Sequence, residues 1–148
     1  MKRFLPICCL LLLTALPLGA QSRRKMPEGP RLEFRTQTHD FGDVARRGGD
    51  LVCEFVFTNA GTAPLVLTRV VTTCSCLKVH YAKRPVAPGA EGSIRVVYEP
   101  HKSEPGVFNK VIQIYSNSTG GREVVTVQGN SLEESSIKIK GGKVKIRH

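Results

Sequence analysis

Along this chain apolar residues recur mostly at every second position, in runs of six to ten, and Gly, Pro and Asn punctuate the runs. That period belongs to strands with one buried face; no stretch sustains the 3.6-residue period of a helix. "DLVCEFVFTNAG" (50–61) is the clearest run, with Leu51, Cys53, Phe55 and Phe57 on one face and Glu54 and Thr58 on the other. "RLEFRTQTHDFG" (31–42) reads as one strand before it, and "APLVLTRVVTT" (63–73) as its hairpin return after Asn59-Ala60-Gly61. "GSIRVVYEP" (92–100), "GVFNKVIQIYSNS" (106–118) and "REVVTVQGN" (122–130) supply three more. The expected fold is all-β: an immunoglobulin-like antiparallel β-sandwich of about seven strands over residues 31–130.

Both ends of the chain break this pattern. Lys2 and Arg3 precede an apolar run from Phe4 to Leu18, and Leu18-Gly19-Ala20 offers the small residues of a cleavage site. Residues 1–20 read as a signal peptide, too short for a spanning helix. Position 21 is Gln, so no cysteine stands at the cleavage point to take a lipid. Residues 21–30 are expected to be a flexible basic leader. At the other end, "IKIKGGKVKIRH" (137–148) alternates Ile or Val with Lys around Gly141-Gly142 and is expected to form a basic hairpin within the tail 131–148. The protein is therefore expected to be exported, periplasmic or secreted, with no transmembrane segment once the leader is removed.

Charge sharpens that picture. Loss of Lys2 and Arg3 lowers the formal charge of +10 by two. Much of the remainder lies in Arg23-Arg24-Lys25 and in Lys138, Lys140, Lys143, Lys145 and Arg147. The basic tail is a candidate binding element for an anionic surface. Nucleic acid is not expected as a partner: aromatics are few, Trp is absent, and no stacking platform is evident.

Five segments in register, "HDFGDV", "FVFTNAGTAPLVLTRVVTTCSCLKV", "PVAPGAEGSIRVVYEP", "GVFNKVIQIYSN" and "VTVQG", resemble a bacterial exported family, the domain of unknown function 1573. That family is similar in turn to the immunoglobulin-like domains of the major sperm protein and hydin type. The resemblance spans about residues 34–130 and implies an extracytoplasmic immunoglobulin-like sandwich. It brings no activity with it. The family commonly carries Cys-Gly-Cys where this chain has Cys74-Ser75-Cys76.

That pair is the main chemical candidate. Two thiolates on one side of a strand could hold a soft ion such as copper or zinc, with His80 as a third ligand. The spacing is not that of a zinc ribbon, and a closed zinc site wants four ligands. A redox pair is conceivable, although C-x-x-C at a helix start is the better-known arrangement; a direct Cys74–Cys76 bridge would close a small strained ring. Pairing with Cys53 is disfavoured, because the hairpin register puts position 74 roughly 20 Å along the strand from it. Cys53 is read as a core thiol, and Cys74 and Cys76 as a locally packed pair where a strand gives way to a long connection.

Other motifs are read structurally. Asp40-Phe41-Gly42 matches a kinase metal-binding tripeptide, but the chain has no partner loops for it, so Phe41 is a core anchor and Gly42 a turn. Ser131, Ser135 and Ser136 have no histidine in reach that suggests a triad. Asn117-Ser118-Thr119 fits a glycosylation acceptor and equally a tight turn. No catalytic residue and no cofactor is assigned. The expected role is a non-enzymatic interaction module of the envelope. It would meet an envelope or extracellular protein by strand addition. The alternative is a thiol-dependent metal or redox protein using Cys74 and Cys76.

Overall fold

The computed structural model describes residues 28–133 in full, together with the backbone of 137–140 and 143–146. Residues 1–27, with the expected signal peptide and most of the leader, lie outside the described residues, as does Arg147. Among the described residues ten strands run in chain order: β1 Leu32–Phe34, β2 Thr38–Ala45, β3 Leu51–Asn59, β4 Leu67–Thr72, β5 Leu77–Tyr81, β6 Glu91–Tyr98, β7 Gly106–Ser116, β8 Arg122–Leu132, β9 Ile137–Lys140 and β10 Lys143–Ile146. The first eight form two four-stranded sheets, ordered β1-β3-β6-β5 and β2-β8-β7-β4. β9 and β10 pair antiparallel with each other, Ile139 opposite Val144 and Lys138 opposite Lys145.

Alternation builds the core as expected. On β3, Cys53, Phe55 and Phe57 point inward, and Ile94, Val96 and Tyr98 do so on β6. From the second sheet come Leu67, Phe108, Ile112, Ile114, Val125 and Val127. Burying a large apolar side chain of this kind stabilises by about 1.5–3 kcal/mol, offset by the entropy of ordering it. Tyr98 sits between Phe41 and Phe108, ring centroids 6.1 and 4.4 Å away, and its hydroxyl bonds Ser103 Oγ at 2.7 Å.

The topology departs from the sequence reading in four places. Residues 31–42 are not one strand: β1 and β2 belong to different sheets. Phe34 and Phe41 both pack on the core. Seven residues apart on one strand they would face opposite ways, so the chain must cross between sheets to bury both. Because it crosses without reversing, β2 lies parallel to β8, and the sandwich is not purely antiparallel. A bulge between Asp40 and Asp43, with Gly42 at φ 65°, bends β2 there, so Gly42 serves a strand irregularity rather than a turn.

β3 and β4 do not form a hairpin either. β3 pairs with β1 and β6, and β4 with β7. The diversion is anchored by Asn59, which has no exposed surface. Its Oδ1 accepts the N–H groups of Arg31 and Gly61, at 3.2 and 3.1 Å. Its Nδ2 donates to the carbonyls of Ala63 and Val86, at 2.8 and 2.9 Å. Residues 60–66 thus cross to the other sheet, and Leu65 is buried completely on the way. Lastly, the expected long connection after Cys76 contains a fifth strand, β5, paired along its length with β6.

Gly29 and Pro30, placed in the leader by the sequence reading, are bonded to the sandwich: Thr62 N–H donates to the Gly29 carbonyl and Thr119 N–H to that of Pro30. β8 runs past 130 to Leu132, and Arg46 pairs with Glu133 at 2.9 Å.

Candidate functional site

β4 is an outer strand of one sheet and β5 of the other, and the short link between them carries the cysteine pair. Cys74 and Cys76 are joined by a disulfide, with Cα atoms 5.1 Å apart. The link is a tight turn in which Leu77 N–H donates to the Cys74 carbonyl at 3.2 Å. Thr72 Oγ1 donates to the same carbonyl at 3.3 Å. Cys76 N–H points at Cys74 Sγ, 3.2 Å away. No non-glycine residue among those described has a positive φ, so Ser75 stands in this turn without a left-handed conformation.

The two cysteines differ in exposure. Cys76 has no exposed surface, and Cys74 is half-buried at the margin of the core. Glu99 N–H donates to the Cys76 carbonyl at 2.8 Å, fixing the turn to the end of β6. The Glu99 side chain is itself only 6% exposed, and its carboxylate accepts Lys78 Nζ at 2.9 Å and Lys102 Nζ at 2.8 Å. The hydrogen bonds from Lys102 and Lys78 hold its pKa below the usual glutamate range, and the same contact raises that of Lys78. Sequence reasoning missed this cluster. Glu99 follows a strand and precedes Pro100, and nothing local marks it as buried.

The expected ligand set is not brought together. His80 lies three residues into β5, roughly 10 Å along the strand from its start, and is exposed opposite Arg95. It lines an open groove of about 720 Å³ with Tyr81, Arg84 and Arg95. Among the described residues no group of three His, Cys, Asp or Glu side chains could hold a metal ion. Cys53 is a free, buried thiol, and burial pushes its pKa up to about 11. It stays apart from the pair because β6 intervenes: Cys53 faces Val96, which faces Val79 of β5. Two strand spacings, roughly 10 Å, exceed the reach of a disulfide. The hairpin register invoked from the sequence is not the cause.

The four sheet edges form a second candidate. β1 has only three residues, and β2 is bulged and carries Asp40 and Asp43. β5 exposes Lys78 and His80. Short length, bulges and charges are the usual protections of an edge. β4, "LTRVVT", has a register irregularity between Leu67 and Arg69 and one charge, Arg69, whose guanidinium lies over the Tyr115 ring at 4.5 Å; Val70-Val71-Thr72 beyond it carry neither. The tail lysines 138, 140, 143 and 145 lie on β9 and β10.

The match that places this chain is to the model of the protein of unknown function family DUF1573, over residues 32–131. The chain belongs to DUF1573. Its match takes in both outer strands and the cysteine turn. No curated protein matches the DUF1573 chain. Among solved structures it is similar to a protein of unknown function from Porphyromonas gingivalis W83, with TM-score 0.63 and 19% identity, over 70% of this chain and 47% of that one. The PapD-like domain 7 of human CEP192 gives TM-score 0.59 and 10% identity, over 75% of this chain and 92% of that one. The Vibrio cholerae VesB protease gives 0.56 and 18%, over 68% and 32%. The DUF1573 chain thus spans about half of the first structure and a third of the protease. These likenesses establish the immunoglobulin-like sandwich alone. Among the described residues no helix is long and apolar enough to cross a membrane.

Proposed function

We propose that this DUF1573 chain is an exported, non-enzymatic interaction module of the cell envelope. It takes up an extended segment of an envelope or extracellular protein along the outer edge of β4. One observation carries the reading: of the four edges among the described residues, β4 alone has neither an acid nor a lysine, and beyond the register irregularity between Leu67 and Arg69 it continues in regular pairing as Val70-Val71-Thr72. An incoming strand would gain main-chain hydrogen bonds there, and alternate side chains would give selectivity. The basic residues Lys138, Lys140, Lys143, Lys145 and Arg147 supply a second contact, to an anionic surface. Export rests on the signal-like residues 1–20.

The test is site-specific photo-crosslinking in intact cells of the source organism. A photoreactive residue at Thr68, exposed on β4, should trap a discrete envelope protein. The same residue at Glu33, exposed on β1, should not. Crosslinking confined to Glu33, or none at either position, would sink the β4 assignment. Recovery of the protein in the cytoplasmic fraction would sink export.

The second reading from sequence, thiol chemistry at Cys74 and Cys76, gains support from the disulfide between them. Its copper or zinc form requires the bridge to be reduced and further ligands to be recruited.

A further inference from the structure

We infer that Cys74 and Cys76 are a thiol–disulfide exchange site, with Cys74 as the sulfur that a partner attacks and Cys76 as the resolving sulfur. The partner class is an extracytoplasmic protein bearing a dithiol. This function is independent of strand uptake at β4.

Three observations carry it. The bridge spans a sequence separation of two. Cross-links stabilise chiefly by closing long loops in the unfolded chain, so a bridge this local contributes little to holding the fold. The turn is moreover held without it. The Leu77 and Thr72 bonds to the Cys74 carbonyl and the Glu99 bond to the Cys76 carbonyl involve no sulfur. An opened pair therefore stays in place to close again. Finally, the sulfurs are unequal. Cys74 sits at the protein margin, and Cys76 N–H is directed at its Sγ, which favours negative charge on that atom. Cys76 has no surface from which a partner could attack it.

The exchange balances as follows. A partner thiolate attacks Cys74 Sγ and forms a mixed disulfide. The Cys74–Cys76 bond breaks, and Cys76 Sγ leaves with the electron pair and takes a proton. The partner's second thiolate then attacks its own sulfur in the mixed disulfide and releases Cys74 as a thiolate facing Cys76 N–H. Two electrons have passed from the partner dithiol to the pair, and the partner is left with a disulfide. Run backwards, the reduced pair reduces a partner disulfide. Cys53 stays outside the exchange, buried and protonated.

The test uses the folded protein in a series of glutathione and glutathione disulfide buffers, quenched by acid and alkylated, with circular dichroism recorded in parallel. The pair should reduce and re-oxidise reversibly while the spectrum stays that of the folded state. A pair that remains oxidised at every ratio, or a fold lost on reduction, would make the bridge purely structural and overturn the inference. Trapping then assigns the roles. Cys76→Ser should accumulate a glutathione adduct on Cys74 about tenfold faster than Cys74→Ser does on Cys76, as access dictates. Equal rates, or the reverse order, would overturn the assignment. With a reduced two-cysteine peptide as probe, one peptide should be oxidised per protein and none by Cys74→Ser. Failure of wild type to oxidise the peptide would refute the exchange. As neither variant alters β4, loss of exchange and loss of crosslinking at Thr68 are separable outcomes.

Discussion

Phe57 and Gly92 are cross-strand neighbours on β3 and β6, and the Phe57 ring fills the space that a side chain on Gly92 would need. A Cβ there would lie 2.5 Å from the ring Cζ. The second sheet repeats the device: Phe108 faces Gly129, whose Cβ would lie 2.8 Å from that ring. Each sheet thus lays one aromatic ring flat over a bare stretch of neighbouring backbone.

Gly92→Ala should therefore destabilise the domain by about 1–3 kcal/mol, the usual cost of overpacking. Urea unfolding followed by circular dichroism would measure it. Combining it with Phe57→Leu should cost less than the sum of the two single changes, because the smaller side chain frees the space. Gly120→Ala, whose nearest neighbour would be a flexible Glu123 oxygen at 3.4 Å, is the control and should be close to neutral.

Asn59 ties the start of β1 to the 60–66 crossing and to Val86. Replacing it by Ala takes this partner from the N–H groups of Arg31 and Gly61 and from the carbonyl of Ala63, all wholly or partly buried, while the Val86 carbonyl keeps Leu65 N–H. Unsatisfied buried groups cost about 1–3 kcal/mol each, so the loss should be about 3 kcal/mol or more. Asn59→Asp keeps the shape but turns both donors into acceptors against those carbonyls. It should be at least as damaging at pH 7 and should recover stability as the pH falls and the new carboxyl regains a proton to donate. A Tm series across pH would check the sign.

Glu99 gives the native protein an acid-sensitive contact. Its pKa is depressed by the bonds from Lys102 and Lys78. Its contribution is therefore complete above the ordinary glutamate value of about 4.3 and is lost as pH falls below that value towards the depressed one. Wild type should exceed Glu99→Gln in Tm at pH 7, and the gap should close towards pH 3. A constant gap would show that the charge on Glu99 contributes nothing.

The cysteines can be counted by mass. Of Cys53, Cys74 and Cys76, none should take iodoacetamide in the native, unreduced protein at pH 8, because Cys53 is buried with its pKa near 11. Unfolding without reductant should expose one thiol, on Cys53, and unfolding with reductant all three.

How much of this was readable beforehand follows the range of each signal. The inward set on β3 and the runs that became β6, β7 and β8 follow from nearest-neighbour alternation, and sequence shows that directly. The family segments carry the sandwich. Which sheet a strand joins is settled by residues far away, and no local pattern shows it. Asn59 reads as a turn residue, yet its partners at 31 and 86 are what steer β4 away from β3. β5 was hidden because "LKVHY" is short and sits between a cysteine turn and a Pro-containing loop. Cys53 was rightly kept from Cys74 and Cys76, but on the wrong register; the spacer is a strand, β6, that lies 40 residues further along. The burial of Glu99 was invisible because Lys78 reaches it from a strand 21 residues earlier, and Lys102, three residues on, meets it only through the turn begun at Pro100.

The parallel pairing of β2 with β8 has a consequence for the order of assembly. β8 is flanked by β2 and β7, and its contacts with β2 join residues such as Asp40 and Gln128, separated by 88 positions. Until the residues of β8 are made, β2 has no neighbour in its sheet. The growing polypeptide must therefore carry an incomplete layer until Arg122–Leu132 have been made. Such distant closure makes for slow folding and leaves a long window in which a chaperone can engage the chain.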